Sequence, residues 1–135
     1  MRNFVLDTSA AIDYAESGSG ANKVEQLLAD AIRQQLRLYI SVLHLGEVFY
    51  LTWQKAGEER AREAIASLAR LPIQVVQVDL LQALKAGELK ARHKIPYVDC
   101  VAAALTLQQH ATLVTADRDF EKLGRHFPIL WLFRP

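Results

Sequence analysis

Short apolar runs alternate along the chain with longer stretches in which apolar residues recur at helical spacing. Asn3–Leu6 is an apolar run that ends in an acid, Asp7, the pattern of a buried strand. Ser9 is placed to cap a short helix through Tyr14, after which Gly18, Ser19 and Gly20 break the chain. Val24, Leu27, Leu28, Ala31 and Ile32 follow the i, i+3, i+4, i+7, i+8 spacing of an amphipathic helix. Leu36–Ile40 reads as a second strand, and Ser41 as the N-cap of a helix reaching about Ala56, with Gly57 as its stop. Ala61, Ala64, Ile65, Leu68 and Leu71 mark the next helix, ended by Pro72. The β-branched run Ile73–Val78 is a third strand. Asp79 with Gln82 resembles a capping box that opens a helix to about Arg92. Pro96 suits the first turn of the helix that follows, to about His110. Leu113–Thr115 is a fourth strand, Phe120–Leu123 a short helix, and Ile129–Phe133 the last strand.

Strands alternate with helices throughout, which predicts one α/β domain over residues 1–135: a mainly parallel sheet of about five strands with helices on both faces. No repeat, linker or low-complexity segment interrupts it. The apolar fraction of 51% is enough for a sizeable core, and the formal net charge of +1 excludes a broadly basic nucleic-acid coat. A single cysteine, Cys100, rules out an internal disulfide and a thiolate metal cluster. Without a signal-peptide pattern or a membrane-length apolar run, the chain is expected to be soluble and cytoplasmic.

Parallel α/β sheets carry their sites at the carboxyl ends of the strands. Asp7 follows the first strand directly and Asp117 follows the fourth closely, so both are expected on one rim. Asp99 falls in the first turn of its helix, where backbone N–H groups favour an anion. Glu47 interrupts the otherwise apolar stretch Val42–Trp53. Four converging carboxylates repel one another unless a cation neutralises them. A hard cation such as Mg²⁺ or Mn²⁺ meets that need and can activate water for phosphodiester cleavage. Taken singly, each acid also has a plainer reading. Asp7 and Asp117 serve as helix caps, Asp99 as a first-turn dipole residue, and Glu47 as a solvated side chain. Their joint placement favours the metal site.

Other polar residues fit more weakly. His44 sits one turn before Glu47 and suits a structural or substrate-contact role. Arg118 and Lys122, beside the acids, are candidates for contact with a nucleic-acid substrate, while Lys90, Arg92, His93 and Lys94 read as a solvated helix end. Cys100, Tyr50, Trp53 and Trp131 read as packing or interface residues.

The motifs carry a resemblance. The run Asn3-Phe4-Val5-Leu6-Asp7-Thr8-Ser9-Ala10 resembles the opening of PIN-domain proteins. Glu47 stands in the place of their second acid, Pro96-Tyr97-Val98-Asp99 resembles their third acidic motif, and Leu113-Val114-Thr115-Ala116-Asp117-Arg118-Asp119-Phe120 resembles their closing motif. The likeness runs from Asn3 to Phe133. It implies a PIN-like fold and a Mg²⁺- or Mn²⁺-dependent ribonuclease with Asp7, Glu47, Asp99 and Asp117 as ligands. Asp119, Thr115 and Ser9 are implied as accessory residues. A stand-alone domain of this size is similar to VapC-type toxins, which implies a homodimer and a small antitoxin protein as partner. The expected dimer surface is the apolar side of the Val42–Trp53 and Val24–Ile32 helices. Pro96 departs from the family pattern, where a capping residue such as Ser is common.

Three rival readings fit the residues less well. A haloacid-dehalogenase phosphatase wants a second aspartate two residues after the first, where this chain has Ser9. A receiver domain wants a lysine at the last strand, and Ile129–Phe133 has none. A degenerate PIN domain acting only as a binding module is disfavoured by the complete set of acids.

Overall fold

In a computed structural model that describes residues 1–133, five strands form one sheet. They are β1 (Arg2–Leu6), β2 (Leu36–Ser41), β3 (Ile73–Val76), β4 (Thr112–Thr115) and β5 (Ile129–Trp131). Their spatial order is β3-β2-β1-β4-β5, and all four pairings are parallel. Six helices connect them: α1 (Thr8–Ala15), α2 (Ala21–Ile32), α3 (Val42–Ala56), α4 (Glu58–Ala69), α5 (Leu80–His93) and α6 (Tyr97–Gln108). A 3₁₀ helix, Arg118–Leu123, precedes β5.

Strand alternation sorts the core onto two faces. Val5 pairs with Tyr39 and Leu113, and all three pack with Ala86, Leu89, Cys100 and Ala104 of α5 and α6. Their strand neighbours Phe4, Leu6, Leu38 and Val114 point the other way and pack with Val24, Leu27 and Leu28 of α2. Ile40 on that face meets Ala11, Val48 and Leu68 of α1, α3 and α4. α6 is buried along the whole run Cys100–Thr106, so its mainly small side chains bring its axis close to its neighbours. Thr106 satisfies its own hydroxyl by donating to the Ala102 carbonyl at 2.8 Å.

Several local expectations need correction. α1 is capped by Asp7, whose side chain accepts from the Ala10 N–H, rather than by Ser9. Asp79 does cap α5 by accepting from the Gln82 N–H, but the Gln82 side chain is buried and donates to Gln108, so the reciprocal half of a capping box is missing. β3 ends at Val76 and β5 at Trp131, each two residues earlier than the β-branched or aromatic pattern suggested. The apolar stripe of α2 does not form a free surface, because Val24, Leu27 and Leu28 are buried in the core. Ile32, at the end of that stripe, is exposed, and larger groups of exposed apolar side chains lie on α3 (Leu43, Tyr50, Leu51, Trp53) and on α5 (Leu80, Leu81, Leu84).

The strand order contains one reversal. β1, β2 and β3 are laid down in one direction across the sheet, and the chain then crosses back to set β4 on the other side of β1. The carboxyl ends of β1 and β4 therefore flank the crevice where α/β sheets hold their sites. None of the helices among the described residues is long and apolar enough to cross a membrane.

Candidate active site

The crevice is built first from the ends of β1 and β4. Asp7 follows β1, is only 3% exposed, and takes the extended backbone of an N-cap. Its Oδ1 accepts from the Ala10 N–H at 2.9 Å and from the Ser9 hydroxyl at 2.7 Å. Its Oδ2 accepts from the Thr115 hydroxyl at 2.5 Å. A carboxylate has about four acceptor positions, so these three donors fix the group and leave roughly one direction open. The donors are themselves cross-linked. The Ala116 N–H bonds to Ser9 Oγ at 3.0 Å and the Asp117 N–H to Thr115 Oγ1 at 2.9 Å. Thr115, the last residue of β4, thus ties Asp7 to Asp117.

Helices supply the rest. α3 leaves β2 with its Ser41 cap and carries Glu47 one turn further in. Glu47 Oε1 accepts from Thr8 Oγ1 at 2.6 Å and Oε2 from the Tyr50 hydroxyl at 3.2 Å. Asp99, in the first turn of α6, is half-buried. Asp117 caps the 3₁₀ helix by accepting from the Asp119 N–H at 2.9 Å. Asp7, Glu47, Asp99 and Asp117 line one cleft of about 420 Å³, together with Thr8, Ser9, Asp13 and Glu16. Carboxylate oxygens of Asp99, Asp117 and Asp119 lie within 4.8 Å of one another.

The electrostatics follow from this crowding. Burial pushes the Asp7 carboxyl up to about 6, against the lowering effect of the Thr115, Ser9 and Ala10 donors; Asp117 adds a smaller upward push. Burial likewise raises Asp99 to about 7, with further contributions from Asp117, Asp7, Glu47 and Asp119. Among the described residues no Lys or Arg forms an ion pair with any of these five acids. A set of hard oxygen donors without a protein counter-charge fits Mg²⁺ or Mn²⁺, which take carboxylates and water in preference to softer ligands.

The weaker candidates separate. His44 is 1% exposed, so it is not placed for the substrate contact considered for it. Its ring nitrogens have no partner among the described residues, and burial lowers it to about 4 despite the opposing charge of Glu47. Arg118 is engaged within the molecule. It bonds to Glu121 at 3.2 Å, donates to the Phe133 carbonyl at 2.6 Å, and lies 4.1 Å from the Trp131 ring centre. Lys122 is exposed. In the basic cluster, Lys90 donates to the Ile95 carbonyl at 2.8 Å and Arg92 pairs with Glu88. Sequence reasoning passed over Thr8 and took Tyr50 for a packing residue, although both hold Glu47. Tyr50 stands three residues after Glu47, a helical spacing that brings side chains together, and this was the available signal.

A parallel sheet with acids grouped at its switch point defines an acid-rimmed α/β domain. The PIN domain family profile matches residues 4–126, and the chain belongs to that family. Solved structures agree on the fold. DNA-bound VapBC from Salmonella typhimurium is 20% identical, with a TM-score of 0.77 over 98% of this chain and 100% of that one. A toxin–antitoxin complex from Klebsiella pneumoniae is 17% identical, with a TM-score of 0.71 over 97% and 98% of the two chains. VapC20 of Mycobacterium tuberculosis, a toxin that cleaves the sarcin–ricin loop, is 19% identical, with a TM-score of 0.70 over 92% and 95%. A comparison with curated protein sequences gave no match.

Proposed function

We propose that the protein is a divalent-metal-dependent endoribonuclease, the toxin of a type II toxin–antitoxin pair. Asp7, Glu47, Asp99 and Asp117 would hold Mg²⁺ or Mn²⁺, with Asp119, Thr115 and Ser9 in support. The observation that carries this reading is that Asp7, Glu47, Asp99 and Asp117 share one cleft and that, among the described residues, no cationic side chain is paired to any of these four. A bound divalent ion supplies a nucleophilic water and neutralises charge on the scissile phosphate. The chain's own part is to orient. The Ser9, Ala10 and Thr115 donors keep the Asp7 carboxylate at one angle. Thr8 and Tyr50 do the same for Glu47. The Asp99 proton, retained at about pH 7 in the metal-free protein, would be displaced on loading.

The partners follow from the family likeness and the surface. RNA is the substrate, a small antitoxin protein the inhibitor, and a second copy of the chain the partner in a homodimer. The exposed apolar side chains of α3 and α5 support such contacts. The degenerate-domain alternative, a non-catalytic binding module, has no structural observation in its favour. Thermal unfolding with EDTA and with excess Mn²⁺ tests the metal site, and Mn²⁺-dependent RNA cleavage separates the nuclease from the binding module. A rise in Tm with Mn²⁺ that vanishes in Asp7→Asn supports the metal site, and identical curves overturn it. Light scattering that finds only monomer at high concentration removes the dimer and leaves the nuclease reading standing.

A further inference from the structure

The acid cleft has an apolar wall that phosphate chemistry leaves unused. Leu51 of α3 and Phe133, two residues beyond β5, both line it, and they are 39% and 36% exposed. Phe133 does not hang free. Arg118 Nη2 donates to its carbonyl at 2.6 Å, and the preceding residue, Leu132, is buried and bonds through its N–H to the Thr115 carbonyl at 2.9 Å. Gly20 completes the mount: a Cβ at that position would lie 3.1 Å from Leu132 Cβ and 3.3 Å from Phe133 Cε1, closer than ordinary packing. The backbone at Leu132 and Phe133 is therefore held by two hydrogen bonds, Gly20 lies against the ring edge, and Phe133 borders the same cleft as Asp7 and Asp99.

We propose that Phe133 is the stacking platform for one unpaired base of an RNA strand whose phosphate lies at the acids. The proposal rests on the nuclease reading above and names the form of substrate. A nucleotide carries a phosphate and a flat apolar face on opposite sides of its ribose, and one cleft offers a seat for each. Base–aromatic stacking is tolerant of base identity. A duplex keeps its bases stacked on one another, so the platform selects a single strand, loop or splayed nucleotide.

The test measures binding of ten-nucleotide oligouridylate, oligoadenylate and abasic ribose-phosphate by fluorescence anisotropy, with Ca²⁺ in place of Mg²⁺. Cleavage of the two base-bearing strands is measured separately with Mn²⁺. Wild-type protein is expected to prefer the base-bearing strands over the abasic one by roughly ten-fold. Phe133→Ala and Phe133→Leu should remove that preference, Phe133→Trp should restore it, and none should lower affinity for the abasic strand. Loss of affinity for all three strands alike, or full preference in Phe133→Ala, overturns the platform. Base preference that depends on Phe133 without any Mn²⁺ cleavage supports the platform and overturns the nuclease reading. Cleavage with no base preference does the reverse. Equal melting temperatures of the three variants exclude misfolding as the cause.

Discussion

The two sides of the acid cleft are built differently. On the strand side, Asp7, Ser9, Thr115, Ala116 and Asp117 are joined by a closed set of hydrogen bonds, and Asp7 is 3% exposed. On the helical side, Glu47 is held by two hydroxyls from Thr8 and Tyr50, and Asp99 is half-buried among like charges. The strand side is preorganised by backbone that the sheet already fixes. The helical side depends on charge, and a bound cation would offset the burial and, secondarily, the like-charge repulsion that raise Asp99 to about 7. Geometry is thus stored in the sheet, and on the proposed reading metal affinity is drawn from both sides.

Changes on the strand side should do the most damage. Asp7→Asn keeps the shape of the side chain and removes its charge, so RNA cleavage should fall by at least about a hundred-fold, a transition-state loss near 3 kcal/mol. Folding without metal should be unharmed, because the variant no longer has to ionise a buried group. Circular dichroism with cleavage assays checks both. Thr115→Val strips the donor from Asp7 Oδ2 and the acceptor from the Asp117 N–H. It should cost about 1–3 kcal/mol of stability and weaken Mn²⁺ binding, as read by denaturant melts and calorimetry. Unchanged metal affinity in Thr115→Val would show that the strand side needs no such bracing.

The pH response sharpens the contrast next. Folded Asp7 and Asp99 titrate near 6 and 7, above the unfolded value of 3.8. Between about pH 4 and pH 7 the folded state therefore keeps protons that the unfolded chain has released. Metal-free stability should be greatest below about pH 4, as far as these two groups are concerned, and should fall as pH rises to about 7. Saturating Mn²⁺ should flatten that fall, so its stabilising increment should grow with pH across the same window. Melting curves with EDTA and with Mn²⁺ between pH 4 and pH 8 check this, and a parallel pair of curves would contradict it. Asp119→Asn should have the smallest effect. Its carboxylate lies within 4.8 Å of those of Asp99 and Asp117, but the link to Asp117 that the structure shows is its backbone N–H. Activity should stay measurable in Asp119→Asn where Asp117→Asn loses it.

The same contrast explains what could be read from the sequence. Asp7 and Asp117 stood out because strand ends have a fixed relation to the rim of a parallel sheet, and Asp99 because it opens a helix. Apolar and β-branched runs, helical spacing and cap or breaker residues located the five strands and six helices of the described residues, with β3 and β5 overrun by two residues each. Val78 and Phe133 have strand-like side chains, yet the ladder stops where partner strands end. The strand order was not legible, since nothing local marks the crossing from β3 to the far side of β1. Nor was the bond from Thr8 to Glu47, which spans 39 residues and depends on how α3 packs against α1. The fate of α2 was hidden for the same reason: an amphipathic stripe has the same pattern whether its own core or a partner covers it.

The central claim is that the acid cleft cleaves RNA through a divalent ion fixed by Asp7. Single-turnover cleavage of a pooled cellular RNA substrate by wild-type protein and by folded Asp7→Asn, each with Mn²⁺ and with EDTA, tests it most directly. Cleavage only by wild-type protein and only with Mn²⁺ is the expected result. Cleavage that persists in EDTA, or at full rate in Asp7→Asn, would contradict the account.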